Sequence, residues 1–404
     1  MSLPATAVTN LGNLLPNEIL HAIFDHLSQH ALTRIVLVSH RWRANAERLL
    51  YSSIVINEVL PRSSTPELKG AHAVPSVPAI TLRCCETLFS YPHLAEYVRR
   101  FHVRWQTDAV ESPALLLLIA QNIAKSLVPT LRHLDSLELS FGLLAAPPLP
   151  AAPTSFLPPS RHPGLRSLAL HGIGEPPEPV LRNHPALLHL KLGDYRRPLH
   201  LLPTDVPRLR SFRGHPATAA SVLPGRPIEA LGLVGLDPAT ESDFARIAAG
   251  SRPVRSLDLS GTSVTPTVLR NVSRHLSHVE WLKVRLAFRH TLHYALNGMR
   301  LLTALTTVLS NFGNLRDLDL SPTNAVHYYA DQNAVEEQRL CIAWTRACPS
   351  LRRIIFPSRT EWSLSEGGTW ACKYSDSLAR LLFRCVPRID DQPADDNICI
   401  NTSL

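Results

Sequence analysis

The chain is poor in glycine, methionine, aromatic residues and charge. Its 404 residues hold 17 Gly against 34 Pro, only 2 Met, and 6% aromatic residues. Nucleotide-binding α/β enzymes need Gly-rich loops that bring backbone N–H groups against phosphate, and no P-loop pattern occurs. Charged residues make up 18%, against about 25% in ordinary globular chains. Long apolar runs are missing too. The longest, Ala114–Ala120, falls far short of the roughly 20 residues that span a bilayer. The opening MSLPATAVTNLGNLLPNEIL has no basic segment followed by an apolar one, so it is not read as a secretory signal. The closing NTSL lacks the Cys of a prenylation box. The 7 Cys never fall at C-x-x-C spacing, and only Cys84 and Cys85 adjoin. Free thiols in a reducing compartment, cytoplasm or nucleus, are the expectation.

What is present is leucine, 66 residues, within an apolar fraction of 45%. That suffices for a large core and excludes a wholly disordered chain. The length allows two to three domains or one elongated repeat body. The net charge of +8 is carried almost wholly by Arg, since Lys occurs only at 69, 125, 191, 283 and 373. A basic chain can bind nucleic acid or acidic partners. Here the cations are dispersed singly, which argues against nucleic acid.

The first patterned segment is LPNEILHAIFDHL, where Ile19, Leu20, Ile23, Phe24 and Leu27 form one wide helical stripe. Pro16 suits a first helical position, and Glu18 the acid-favouring first turn. A second short apolar segment, ALTRIVLV, follows. Ser39 reads as the N-cap of a third helix that carries Trp42, Ala46 and Leu49 on one face. About forty residues cannot bury this much apolar surface alone. The rest of the chain or a partner must cover it.

These residues resemble an F-box. Leu15-Pro16-x-Glu18-Ile19-Leu20-x-x-Ile23-Phe24-x-x-Leu27, then Leu37-Val38-Ser39-His40-Arg41-Trp42, follow that family's pattern over about a tenth of the chain, with a minor departure at His40 and Arg41. The resemblance implies three helices that dock on a Skp-type adaptor, and through it indirectly on a cullin–RING ubiquitin ligase. The adaptor-binding residues it implies are Leu15, Pro16, Glu18, Ile19, Leu20, Ile23, Phe24, Leu27, Leu37, Val38 and Trp42. Some of these must instead hold the three helices together.

Behind this head an apolar-x-x-apolar-x-apolar unit recurs ten times, from Val98/Phe101/Val103 through Leu165/Leu168/Leu170 and Leu257/Leu259 to Leu351/Ile354/Phe356. First-residue spacings run from 19 to 36, and the middle ones match leucine-rich repeats. Each L-x-L pair puts two side chains on one face of a short strand, and parallel stacking buries them as a ladder. Turn residues flank the units, as in His162-Pro163-Gly164 and Leu259-Ser260-Gly261. The customary Asn after the strand is missing, so the repeat is degenerate. Helices are predicted over 80–97 (interrupted at Pro92), 113–127, 240–249, 265–276, 290–310, 333–347 and 376–386. Surface loops are predicted over 61–78, 145–163 and 174–185. Segments such as Phe89-x-x-Pro92-His93-Leu94 and Cys348-Pro349-Ser350-Leu351 are similar to those of fungal F-box proteins with degenerate repeats.

The fold class expected is therefore α/β: a three-helix F-box over 11–56, a linker loop over 57–79, an irregular leucine-rich-repeat-like solenoid of parallel strands and helices over 80–388, and a disordered acidic tail over 389–404. No nucleophile elbow, H-E-x-x-H helix or complete metal set accompanies the 19 His. A non-catalytic adaptor without cofactor, metal or small-molecule substrate is expected, with an unknown target protein as partner and no membrane. The residue inside each L-x-L, and the one two before it, face the open side of the sheet. His102, Glu138, Lys191, Arg213, Asp258, Trp281, Lys283, Asp317 and Asp319 are thus the candidate target contacts. Three functions are weighed: a substrate receptor of a ubiquitin ligase, a Skp-bound scaffold, and a basic solenoid that binds nucleic acid.

Overall fold

The computed structural model describes residues 15–60, 77–107, 113–141, 162–172, 177–237, 239–287, 299–323 and 330–373. The predicted helix 376–386, the acidic tail and most of the loops at 61–78 and 145–163 lie outside these residues.

The head is three helices, α1 (Asn17–Asp25), α2 (Gln29–Ile35) and α3 (His40–Ser52). Pro16 precedes α1 as its capping residue instead of opening it. Ser28 and Ser39 cap α2 and α3, their hydroxyls accepting from the backbone N–H of Ala31 at 3.2 Å and Trp42 at 3.3 Å. Leu20, Phe24, Leu32 and Ala46 form a small core of their own. Trp42 covers it, its ring edge-on to Phe24 with centroids 5.6 Å apart. Arg41 holds the chain entry in place. It donates to the Asn17 side chain at 2.8 Å and to the carbonyl of Leu15.

The chain passes from α3 directly into β1 (Ser53–Leu60), so residues 57–60, counted above with the linker, belong to a strand. There follow α4 (Ala79–Ser90), α5 (Pro92–Tyr97), β2 (Arg100–Thr107), α6 (Pro113–Asn122), β3 (Ser136–Ser140), β4 (Ser167–His171), α7 (Glu178–Arg182), β5 (His189–Leu192), β6 (Ser211–Gly214), α8 (Pro216–Val222) and β7 (Ala230–Val234). Next come α9 (Glu241–Ile247), β8 (Ser256–Val264), α10 (Pro266–His275), β9 (Trp281–Leu286), α11 (Met299–Ala304), α12 (Thr306–Leu309), β10 (Asp317–Asp319), α13 (Ala330–Ala347), β11 (Arg353–Ile355), β12 (Glu361–Leu364) and β13 (Trp370–Lys373).

The thirteen strands form one sheet in chain order. Every pair from β1 to β11 is parallel. Strictly sequential parallel order means every crossover returns the chain by one repeat, which is a solenoid. The ladder residues of all ten units are buried. They stand in register: Phe101, Leu137, Leu168, Leu190, Phe212, Leu231, Leu257, Leu282, Leu318 and Ile354 occupy one row. A backbone device pins the register. The carbonyl before each strand from β2 to β10 accepts two N–H bonds from the next repeat, as Arg99 does from Asp135 at 2.7 Å and Ser136 at 3.0 Å.

The structure corrects several expectations. Segment 174–185 contains α7, with Val180 and Leu181 buried; its prolines sit at the helix start, where a missing N–H costs nothing. The stretch 80–97 is two helices, because Pro92 opens the second. The described part of 290–310 is likewise two short helices. Strand β1 and the antiparallel pairs β11–β12 and β12–β13 had no repeat signature. Both ends are closed by a buried carboxylate. Glu58 accepts from the N–H of Ile80 at 3.0 Å and of Thr81 at 3.1 Å at the start of α4. Glu337 on α13 accepts from Thr360 at 2.5 Å, Ser358 at 2.8 Å and the Trp362 indole at 2.9 Å.

Candidate protein-interaction surfaces

The first surface is on the head. Leu15, Ile19, Ile23 and Leu27 recur every four residues; Ile19 and Ile23 share one side of α1, and Leu15 and Leu27 flank its two ends. All four are exposed, Ile19 and Ile23 at 47%. Leu37 and Val38, in the turn before α3, are exposed at 72% and 61%. Pro16 and Glu18 are exposed as well. Leu20 and Phe24, at 1% and 2% exposure, are not available to a partner. Both belong to the internal core, and Trp42 is half-buried against Phe24. The expectation that Leu20 and Phe24 contact an adaptor is corrected on that ground. Leu20 and Phe24 lie on the side of α1 that packs on α3, a quarter-turn from the exposed row.

The second surface is the open face of the sheet. In register across it stand His102, Glu138, Ala169, Lys191, Arg213, Gly232, Asp258, Lys283, Asp319, Ile355 and Glu361. A parallel row holds Arg100, Ser136, Ser167, His189, Ser211, Ala230, Ser256, Trp281, Asp317 and Arg353. The nine target-contact candidates therefore do share a face, but they do not form one site. They fall into three groups.

On β2, β3 and β5, Glu138 is the hub. Arg104 donates to both its oxygens, at 2.8 and 2.6 Å, and Lys191 Nζ lies 3.7 Å away. Burial raises the Glu138 pKa, but the Arg104 hydrogen bonds and the charges of Lys191, Arg104 and His102 outweigh it and hold the carboxyl below its ordinary value. His102 is pushed down by burial, more than Glu138 pulls it up. It is neutral at pH 7, so its 3.7 Å approach to Glu138 is not an ion pair there. In the middle, Arg213 reaches over Gly232 to Asp258 at 2.5 Å. Burial raises Asp258, but hydrogen bonds from the Ser260 side chain and backbone, and the Arg213 partner, bring it below normal. Towards the far end Lys283 pairs with Asp319 at 3.0 Å, and Arg353 bridges Asp317 at 3.9 Å and Glu361 at 2.8 Å. Trp281 lies half-buried between Ser256 and Asp317.

Two of these residues depart from the expected exposure. Glu138 and Asp319 are buried, at 7% and 6%, because longer cations from neighbouring strands fold over the short acids. Asp258 and Asp319 also each accept the N–H two residues on, at 2.8 and 2.9 Å; the second turns the chain out of β10, and the first sits where β8 loses its regular register with β9.

A family model described as F-box-like matches residues 13–57. Residues 13–57 are an F-box-like domain. No curated protein matches the chain. Among solved structures, an internalin from Listeria monocytogenes is similar at 12% identity, covering 84% of this chain and 87% of its own, with a TM-score of 0.30. The solenoid is read from the strand order above, on which so low a score has no bearing.

The F-box-like domain thus carries its apolar row on α1 outward and its core inward. Among the described residues no group of three His, Cys, Asp or Glu side chains could hold a metal ion, and no helix is long and apolar enough to cross a membrane. The five described cysteines are free. Burial pushes the Cys84 and Cys85 thiols up to about 12 and about 11, so neither is a thiolate at neutral pH. Sequence reasoning missed Arg104, the chief partner of Glu138. It lies two residues beyond the counted columns, and its only signal is the same odd–even alternation continued one step.

Proposed function

We propose that this chain is a substrate receptor of a cullin–RING ubiquitin ligase, a non-catalytic bridge of the cytoplasm or nucleus. The F-box-like domain binds a Skp-type adaptor, and the open face of the solenoid holds a target protein. The observation that carries this reading is the exposed apolar set Leu15, Ile19, Ile23, Leu27, Leu37 and Val38 on a domain whose own core is already filled by Leu20, Phe24, Leu32 and Ala46. Water-exposed apolar residues in this number on so small a unit mark a docking surface. Burying each is worth about 1.5–3 kcal/mol before the cost of association. The reaction follows by proximity: a target held on the solenoid meets a charged conjugating enzyme at high effective concentration, and no residue of this chain enters the chemistry.

The test is co-purification of the full chain with a Skp-type adaptor. Ile19→Asp/Ile23→Asp is expected to abolish it while leaving the melting temperature unchanged, since neither side chain is in the core. Retained adaptor binding in that variant would remove the basis for the assignment. Accumulation of the bound target when the chain is deleted, with loss of its ubiquitin conjugates, separates a receptor from a scaffold.

A further inference from the structure

Charge is unevenly divided along the open face of the sheet. On β2 to β5 three fixed cations, Arg100, Arg104 and Lys191, stand against the single carboxylate of Glu138. Glu138 is saturated: Arg104 takes both oxygens and Lys191 stands at 3.7 Å. Arg100 has no carboxylate partner among the described residues, and both it and Lys191 are exposed. Farther along, Arg213 is neutralised by Asp258, and on β9 to β12 three carboxylates, Asp317, Asp319 and Glu361, meet three cations, Lys283, Arg285 and Arg353. The positive surplus is largest at the end of the face next to the F-box-like domain, on β2 to β5.

The shape matches the charge. Between the cations of β2 and those of β5, strands β3 and β4 present small residues, Ser136, Ser140, Ser167 and Ala169, around the flattened Glu138. Strands β2 and β5 lie three strand spacings, about 14 Å, apart, and Arg104 and Lys191 lean inward over Glu138 from the two sides, so the strip between them is a shallow trough on which one extended chain can lie along the strands. Arg100 and Arg104, four residues apart on β2, are about 13 Å apart at strand rise. Anionic groups four residues apart on an extended segment would face both.

We propose that this trough is the docking site for an extended acidic segment of the target protein, its anionic groups being carboxylates or phosphates. This rests on the receptor reading above and assigns the chemistry of what the receptor holds. Arg100 and Lys191 supply the free charge, and Arg104 is fixed in place by Glu138, so little ordering cost is left for binding. A strand-wide trough suits a single polypeptide, whereas a duplex is too broad for it.

The experiment is fluorescence anisotropy on the full chain. The probes are a labelled peptide of alternating Glu and Ser about twelve residues long, roughly 40 Å extended, its phosphoserine counterpart, its Gln-for-Glu counterpart, and a single-stranded oligonucleotide. The acidic or the phosphorylated peptide is expected to bind at least about tenfold tighter than the neutral one, and whichever leads identifies the anion. Arg100→Glu/Lys191→Glu should weaken that binding at least about tenfold. Arg246→Glu/Arg270→Glu, exposed on helices α9 and α10 away from the trough, should leave it unchanged. Equal affinity for acidic and neutral peptides, or equal loss in both double variants, overturns the proposal. So does tighter, steeply salt-dependent binding of the oligonucleotide. Adaptor co-purification is followed in every variant. An adaptor-bound parent chain that does not prefer the acidic peptides counts against this proposal alone, whereas loss of the adaptor from the parent chain counts against the receptor reading; an unchanged melting temperature confirms that the variants fold.

Discussion

Ile19 and Leu20 are chain neighbours with opposite fates. One is 47% exposed and the other 1%, because a helix turns its successive residues by about 100°. The two kinds of apolar residue should therefore separate by measurement. Phe24→Ala opens a cavity beneath Trp42 and is expected to destabilise the head by about 3–5 kcal/mol, seen in chemical denaturation. Ile19→Ala should change stability by no more than about 0.5 kcal/mol and show its effect only in adaptor affinity. On the open face, Gly232 is a residue whose role is steric. A Cβ there would stand 2.9 Å from Arg213 Cγ, in the path that side chain takes to Asp258. Gly232→Ala is expected to displace Arg213, weaken the ion pair, and raise the Asp258 pKa towards its ordinary value in a carboxylate titration by NMR. An unmoved Asp258 would show that Arg213 contributes nothing to holding it down.

At the scale of elements, legibility depended on how local the signal was. The capping box of α9 could be read off Thr240 and Asp243, and both its bonds are made. Helix α4 starts after Pro78 without a side-chain cap from its own first residues. Its free N–H groups are served by Glu58, more than twenty residues upstream, and Trp105 donates to Thr81 Oγ1 at 3.0 Å behind them. No pattern in the sequence links 58 to 80. Glu58→Ala is expected to cost about 1.5–3 kcal/mol, the worth of hydrogen bonds to a charged acceptor. The amides of Ile80 and Thr81 should then exchange faster than the rest of α4. The turn from β11 to β12 is another such element. Arg359 has a φ of 66°, a left-handed conformation that costs a non-glycine residue about 1–2 kcal/mol. Arg359→Gly should raise the melting temperature. A lowered one would mean that the side chain, exposed as it is, contributes more than the strain removes.

At the scale of the whole molecule, the described residues make a short helical unit joined without a break to a thirteen-strand sheet. Its stability should depend on pH through three histidines. His102, His162 and His184 are each pushed below the ordinary histidine value, chiefly by burial. His162 and His184 stack with centroids 6.0 Å apart, and the second ring's Nδ1 meets the Val180 carbonyl at 2.7 Å. Their folded pKa values lie under the unfolded value of about 6.5. Below that pH the unfolded chain takes up protons that the folded chain refuses, so stability is intact above about pH 6.5 and is lost as pH falls towards the folded values. The melting temperature is expected to drop between pH 7 and pH 5, and to drop less in His162→Gln. A flat profile in the parent chain would contradict it.

The sequence alone determined the ladder and the head. Apolar spacing is a one-dimensional record of which face is buried, and here every ladder residue named from it is inside. The F-box-like pattern was legible for the same reason, because its positions are close together and keep one spacing. Only the tertiary structure decided which head residues face outward, which acids on the open face lie under a cation, and where the face keeps a positive surplus. Those outcomes depend on contacts between residues that are tens of positions apart. Arg104 and Glu138, Arg213 and Asp258, and Glu58 and Thr81 are neighbours only because parallel strands and the helix after them bring them together.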